Sequence, residues 1–383
     1  MELFLKSLWI AIIFNLIGCT TTNPAENKPD CPGLAKGTVT PCRPFRAEVI
    51  KLSEEIDEIK PLAPIDSSGW VLISDLLIGA IDNHWVAGLS LKDKKVAWWL
   101  QTPSDLVTPI TSFGSWIVLG LRNGDLWKIE SLSGKVIWKT NVARLVHRPL
   151  TVKGSQLYAH TATDQLFSID FQTGKTSWIY DGGSPNTLVV SGGAAPLATT
   201  NNRVYIGTAG GEIHAVNTVD GKVVWKTNPG YSDYKFHDVI GELIQIGNNL
   251  IITRSDGVVT AIPIDNKKNN IWKESLPALT TVKSRDGVLY IGGLNGDLYA
   301  MEAGSGRRLW TTSTGQSIST ITIGEKVIYI SGSNGHISAV NLTNGIVLWN
   351  DDIRGSLNNT PVQIENKIFF PTGLRVFYGY LIF

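Results

Sequence analysis

Seven tryptophans recur along the chain, Trp98, Trp138, Trp178, Trp225, Trp272, Trp310 and Trp349, at intervals of 40, 40, 47, 47, 38 and 39 residues. Each closes a copy of one phrase. Its clearest forms are VYIGTAGGEIHAVNTVDGKVVWKT at Val204–Thr227, IVLGLRNGDLWKIESLSGKVIWKT at Ile117–Thr140, LYIGGLNGDLYAMEAGSGRRLWTT at Leu289–Thr312 and IYISGSNGHISAVNLTNGIVLWN at Ile328–Asn350. Degenerate copies surround His84, Gln165 and Gly257. In each form three short alternating apolar runs are separated by glycine-bearing turns, which is the signature of three antiparallel strands joined by tight hairpins. Gly124, Gly211, Gly296 and Gly335 stand 14 residues before their Trp, and Gly134, Gly174, Gly221, Gly306 and Gly345 stand four before it. Lys94 and Lys268 take that second position in the first and fifth copies, so those two turns are expected to be built differently. A period near 40 made only of strands means a β-propeller blade, because a helical solenoid would show a 3.6-residue periodicity that is absent here.

The final strand of a blade is its outer edge, where an indole can lie across the gap to the next blade. Burying about 150–250 Å² per ring at about 25 cal/mol per Å² gives an upper bound of roughly 4–6 kcal/mol per copy. The competing role, a platform for stacking a ligand, needs one or two rings and not one per blade. Counting units then sets the architecture. After Trp349 the chain runs through Thr360, Pro361, Ile364, Ile368–Phe370 and Gly373 to Phe377, repeating the opening strands of a unit without a closing Trp. A ring cannot leave that edge open, so a strand from within Ala47–Ile59 is expected to pair beside Ile364–Phe377. The expectation is an all-β, eight-bladed propeller of four-stranded antiparallel blades over 47–383. The apolar end, Tyr380 to Phe383, finds no explanation in the repeat.

With Lys+Arg 34 against Asp+Glu 33, the net charge of +1 gives no reason to expect nucleic acid or an acidic surface as partner. Residues 1–18 read as a secretion signal, with Lys6 at the positive end and Leu8–Ile17 as an apolar run too short for a typical spanning helix. Leu16-Ile17-Gly18-Cys19 resembles a bacterial lipobox. That resemblance implies cleavage before Cys19, diacylglycerol on its sulfur, and palmitate-type acylation of the new amine; several chains would make the anchoring effectively permanent. An ordinary cleaved signal with an incidental Cys is the alternative. Thr20 stands where an inner-membrane retention signal usually carries Asp, which points to the outer membrane, facing the periplasm. Residues 19–46 then read as a flexible lipid-anchored tether. Its Cys31 and Cys42 are either a disulfide in an oxidising periplasm or two free thiols, and two Cys without a nearby His make no metal site.

Catalytic signatures are missing. None of the Gly-Lys pairs at 134, 174 or 221 has the upstream glycine of a phosphate loop, and no Gly-x-Ser-x-Gly elbow is present. The six histidines at 84, 147, 160, 214, 237 and 336 stand singly and read as structural or surface residues, so no catalytic, cofactor or metal residue is assigned.

The unit Gly-x-Leu/Ile-x-Ala-x-x-x-x-x-Gly-Lys-x-x-Trp resembles the pyrroloquinoline-quinone-type propeller repeat, from about residue 70 onward. Quinoprotein dehydrogenases and non-catalytic proteins share it. The dehydrogenases typically carry an adjacent Cys-Cys pair plus acidic and amide ligands for calcium, whereas no two Cys are adjacent here. Lipobox, tether, seven Trp repeats and an eighth blade closed from the N-terminal side together resemble the BamB family of outer-membrane assembly lipoproteins. The resemblance implies a non-enzymatic scaffold without cofactor. It would bind the periplasmic domains of BamA, join the other subunits of the assembly machinery, and assist insertion of unfolded outer-membrane proteins. Two other readings are a periplasmic propeller for a different protein partner and a quinone-dependent dehydrogenase.

The two 47-residue intervals place extra length near Asp181–Ala195 and Asn228–Val239, and loops on a rigid scaffold are where binding usually resides. In the resembled family these connections meet BamA through Leu-x-Leu-Arg-Gly and Ser-Asp-Val-Asp. Here the matching residues are Leu188-Val189-Val190-Ser191-Gly192 and His237-Asp238-Val239-Ile240, with Ser191 in place of Arg and Ile240 in place of Asp. Leu188, Val190, Ser191, Asp238 and Ile240 are therefore the expected partner-binding residues, with part of the ionic contact gone. The competing role for Leu188 and Val190 is packing beneath a long loop.

Overall fold

Apolar–polar alternation with glycine at the turns folds every copy of the phrase into a three-stranded meander, and a short strand ahead of it completes each blade. The computed structural model describes residues 46–51 and 69–382, apart from positions 83, 94, 147, 184–194, 200–201, 230–236, 266–269, 358, 365 and 373–375. Among them lie eight four-stranded antiparallel sheets, the eight blades of a β-propeller. The second blade shows the plan: Thr111–Phe113 innermost, then Trp116–Gly120, Asp125–Glu130 and Val136–Asn141 outermost. Innermost strands of successive blades touch around the axis, as Leu279–Arg285 does with Val239–Ile246 on one side and Thr320–Ile323 on the other.

The core lies between blades. Ile78, Val86 and Trp98 of the first blade interlock with Leu119, Trp127 and Ile129 of the second in one buried cluster. Each closing Trp reaches into the next blade: the indole N–H groups of Trp98, Trp138, Trp178 and Trp272 donate to Ser131 O (2.7 Å), Phe171 O (3.0 Å), Thr218 O (2.9 Å) and Ala303 O (2.9 Å). Glycine four residues before the following Trp makes this approach possible. At Gly174, whose φ is +73°, a Cβ would stand 2.7 Å from the Trp138 ring. The tryptophans thus act as joints, one in each of the first seven blades. The turns holding Lys94 and Lys268 fall outside the described residues.

The ring closes as expected. Arg46–Lys51 pairs antiparallel with Val376–Leu381, with Val49 opposite Tyr378, and completes the sheet of Val362–Ile364 and Lys367–Pro371 as its outer strand. The apolar end also finds its place. Tyr380 and Leu381 belong to the third strand of this blade, where buried Tyr380 stacks on Trp349 of the seventh blade at 5.1 Å and donates its hydroxyl to Asp351 Oδ2 at 2.6 Å.

Candidate functional site

The rim that carries the two long connections also holds the most heavily charged part of the interior. In the second and fourth blades the residue 18 before the closing Trp is Gly120 or Gly207, but in the third and fifth it is His160 or Arg254. At the left-handed turn position 14 before Trp, where other copies have Gly124, Gly211, Gly296 and Gly335, the third blade places Asp164 at φ +58°. These departures come together. Arg148, on the approach to the third blade, donates through Nη1 to His160 Nδ1, which leaves Nε2 of the ring to donate to Asp164 Oδ1 at 3.2 Å. Arg148, His160 and Asp164 are all buried.

Asp164 ties three pieces of chain together. Its carboxylate accepts from Ala209 N of the fourth blade at 3.2 Å, and its carbonyl accepts from Gly182 N, where the first long connection begins, at 3.0 Å. Burial lowers the Arg148 pKa to about 10, opposed by the nearby charges of Asp164 and Asp238. Arg148 precedes the innermost strand of the third blade and Asp238 that of the fifth.

Both connections are pinned at their described ends. The first finishes with Pro196 O accepting from Thr151 Oγ1 at 2.6 Å and with Ala195 bridging to Glu242 of the fifth blade. The second starts with Asn228 Oδ1 accepting from Arg254 Nη1 at 3.2 Å, and ends with Val239 N donating to Thr208 O at 3.1 Å. Arg254 is fully buried and grips Asp256 with two bonds, Nε to Oδ1 at 3.2 Å and Nη2 to Oδ2 at 2.5 Å. Between the connections, His214 donates from Nε2 to Glu212 Oε2 at 2.9 Å and accepts the Tyr180 hydroxyl at Nδ1, 3.0 Å away. Burial lowers the His214 pKa, partly offset by Glu212, and raises that of Tyr180.

The expected binding residues separate into two groups. Leu188, Val190 and Ser191 lie outside the described residues, as do Cys19, Cys31 and Cys42. Asp238 and Ile240 are described and buried, at 0% and 6% exposure; Ile240 packs with Ile251, Leu276 and Leu279. Arg148, His160, Asp164, Arg254 and Asp256 are absent from that expectation. His160, Arg254 and Asp164 leave a trace in the sequence, a charged or basic residue where other copies have glycine at 18 or 14 residues before Trp, legible only after the copies are aligned; Arg148 and Asp256 leave none.

A family model described as outer membrane protein assembly factor BamB matches residues 82–286 and 269–376. BamB of Burkholderia pseudomallei is 23% identical over 246 residues, covering 63% of this chain and 64% of that protein. Quinoprotein alcohol dehydrogenase PedH of Pseudomonas putida is 30% identical over 151 residues, covering 37% of this chain and 24% of that protein. The chain thus spans less than two thirds of these curated relatives' length. In three dimensions BamB from Moraxella catarrhalis superposes with a TM-score of 0.73 at 21% identity, covering 84% of this chain and 98% of that one, which shows a shared fold.

Proposed function

Because this chain belongs to the family of the outer membrane protein assembly factor BamB, we propose that it is a non-catalytic scaffold of outer-membrane protein assembly. In this reading Cys19 is lipidated, the tether to the outer membrane is residues 19–45, one residue short of the expected 19–46 because Arg46 opens the closing strand, and the propeller faces the periplasm. BamA docks on the rim of the third to fifth blades, and the other subunits and unfolded outer-membrane proteins gather around it. One observation carries the docking proposal: each connection of extra length is rooted on a buried charged residue, the first through Gly182 N on Asp164 O and the second through Asn228 on Arg254. Rigid roots limit the conformational freedom lost when a loop is captured.

Leu188, Val190 and Ser191 are proposed to touch the partner. Asp238 and Ile240, being buried, hold the second connection in place. A calcium-held quinone does not fit the described residues. No three His, Cys, Asp or Glu side chains come together among them, and the rim carboxylates Asp164 and Asp256 are committed to His160 and Arg254. Affinity purification of the chain from detergent-solubilised outer membranes should recover a large barrel protein with periplasmic repeats. Leu188→Ser combined with Val190→Ser should lower that recovery while leaving Tm within a few degrees. Full recovery by the double variant would move the interface elsewhere, and unfolding would make the two residues packing elements.

A further inference from the structure

A second site lies between the first and second blades. Gln101, Thr102 and Pro103, where the first blade ends, meet Trp127 and Lys139 of the second, and with His84 they enclose a cleft of about 470 Å³. Trp127 and Lys139 face each other across neighbouring strands, with the ammonium 3.6 Å from the ring centroid. The indole of Trp127 is 3% exposed, and its N–H has no acceptor. Buried donors without partners are rare in native proteins and cost roughly 1–3 kcal/mol, so a lone one beside a cleft calls for an acceptor from outside. Asp105, two residues beyond Pro103, is already held by Arg122 Nε at 2.8 Å and His84 Nε2 at 3.1 Å.

We propose that this cleft binds an organic monocarboxylate, whose oxygens pair with the Lys139 ammonium and accept the Trp127 N–H. The lining offers one cation and one orphan donor, with Gln101, Thr102 and the apolar wall of Pro103 beside them. One ammonium and one N–H donor match the two oxygens of a carboxylate, whereas a phosphate would keep further oxygens and a second charge unpaired. Because the N–H is shielded, the ligand must draw Lys139 off the ring as it enters, exchanging a cation–π contact for a charge-assisted hydrogen bond. The carboxylate can be a small acid or the C-terminus of a peptide.

Indole ¹H–¹⁵N resonances of the purified full chain report on this site, with the Trp127 signal assigned from Trp127→Phe. The probes are phenylacetate, an acetylated pentapeptide with a free C-terminus, the same peptide as its C-terminal amide, and inorganic phosphate. Phenylacetate or the free-acid peptide should move the Trp127 signal downfield, and which of the two binds more tightly identifies the source. The amide peptide and phosphate should leave it in place. Lys139→Met, which keeps the stem and removes the charge, should weaken binding about tenfold, the loss of one charge-assisted bond. An unmoved Trp127 signal with both acids, an equal response to phosphate or to the amide, or undiminished binding by Lys139→Met would each overturn the proposal.

Discussion

Asp164 sits at φ +58°, where four other copies of the turn have glycine, and its neighbour His160 occupies a position that is glycine in two adjacent blades. A buried carboxylate in that backbone region is unfavourable on two counts, and it persists because Arg148, His160 and Ala209 all engage it. His214 is the residue through which this rim should sense acid. Its imidazole is buried and neutral, donating to Glu212 and accepting from Tyr180, and its folded pKa lies below the ordinary value of 6.5. For a base with a depressed folded pKa, the unfolded chain binds the proton more tightly. No penalty exists above about pH 6.5, and stability falls as pH drops from there toward the folded pKa, by at most about 1.4 kcal/mol per pH unit. His214→Gln keeps a donor and an acceptor but does not titrate, so denaturant unfolding between about pH 7.5 and 5.5 should give a shallower acid slope than the parent. Equal slopes would mean that the imidazole is not the titrating group.

At the scale of the blade, the joint between closing Trp and following glycine can be tested against a matched control. Gly174 has φ +73° and a Cβ there would meet the Trp138 ring at 2.7 Å, while Gly154 has φ +61° and open space around it. Gly154→Ala should therefore cost only the left-handed conformation, about 1–2 kcal/mol. Gly174→Ala adds overpacking of about 1–3 kcal/mol and should lower stability by roughly 2–5 kcal/mol in urea unfolding. Equal costs would show that the joint tolerates a methyl group. The same contrast explains what could be read in advance. Three strands per blade, the Trp joints and the closing strand follow from spacing and from the need to cover an open edge, because these features repeat. The shortest innermost strands escape detection, since Thr111–Phe113 has three residues and Leu197–Ala198 two, too few to display alternation. Arg148 and Asp164, read singly, look like surface charges, and only the folded ring brings them beside His160.

Eight blades stand about 45° apart, so the fourth lies across the axis from the eighth. The long connections flank the fourth blade, whereas Arg46–Lys51 closes the eighth, which places the proposed docking rim and the entry of the proposed tether at opposite poles. A chain from Cys19 to Arg46 reaches at most ~95 Å when extended, so the anchor leaves the far pole free to meet a partner below the membrane surface. This division of labour predicts that the closing strand acts on the ring and not on docking. Deleting residues 46–51 exposes Val376–Leu381 as an unpaired outer edge and removes five ladder pairs, a loss of about 2.5–7.5 kcal/mol at roughly 0.5–1.5 each. The deletion should lower Tm and convert monomer into edge-paired oligomers on size-exclusion chromatography with light scattering. Because Arg46–Lys51 runs antiparallel to Val376–Leu381, the same six residues joined after Phe383 through a two-residue hairpin can fill the vacant edge. This transplanted chain should regain the monomer and most of the Tm, and should capture the barrel protein as well as the parent does. A deletion that stays monomeric with unchanged Tm would deny the strand its closing role, and a transplant that is folded but captures nothing would place part of the docking surface at the seam.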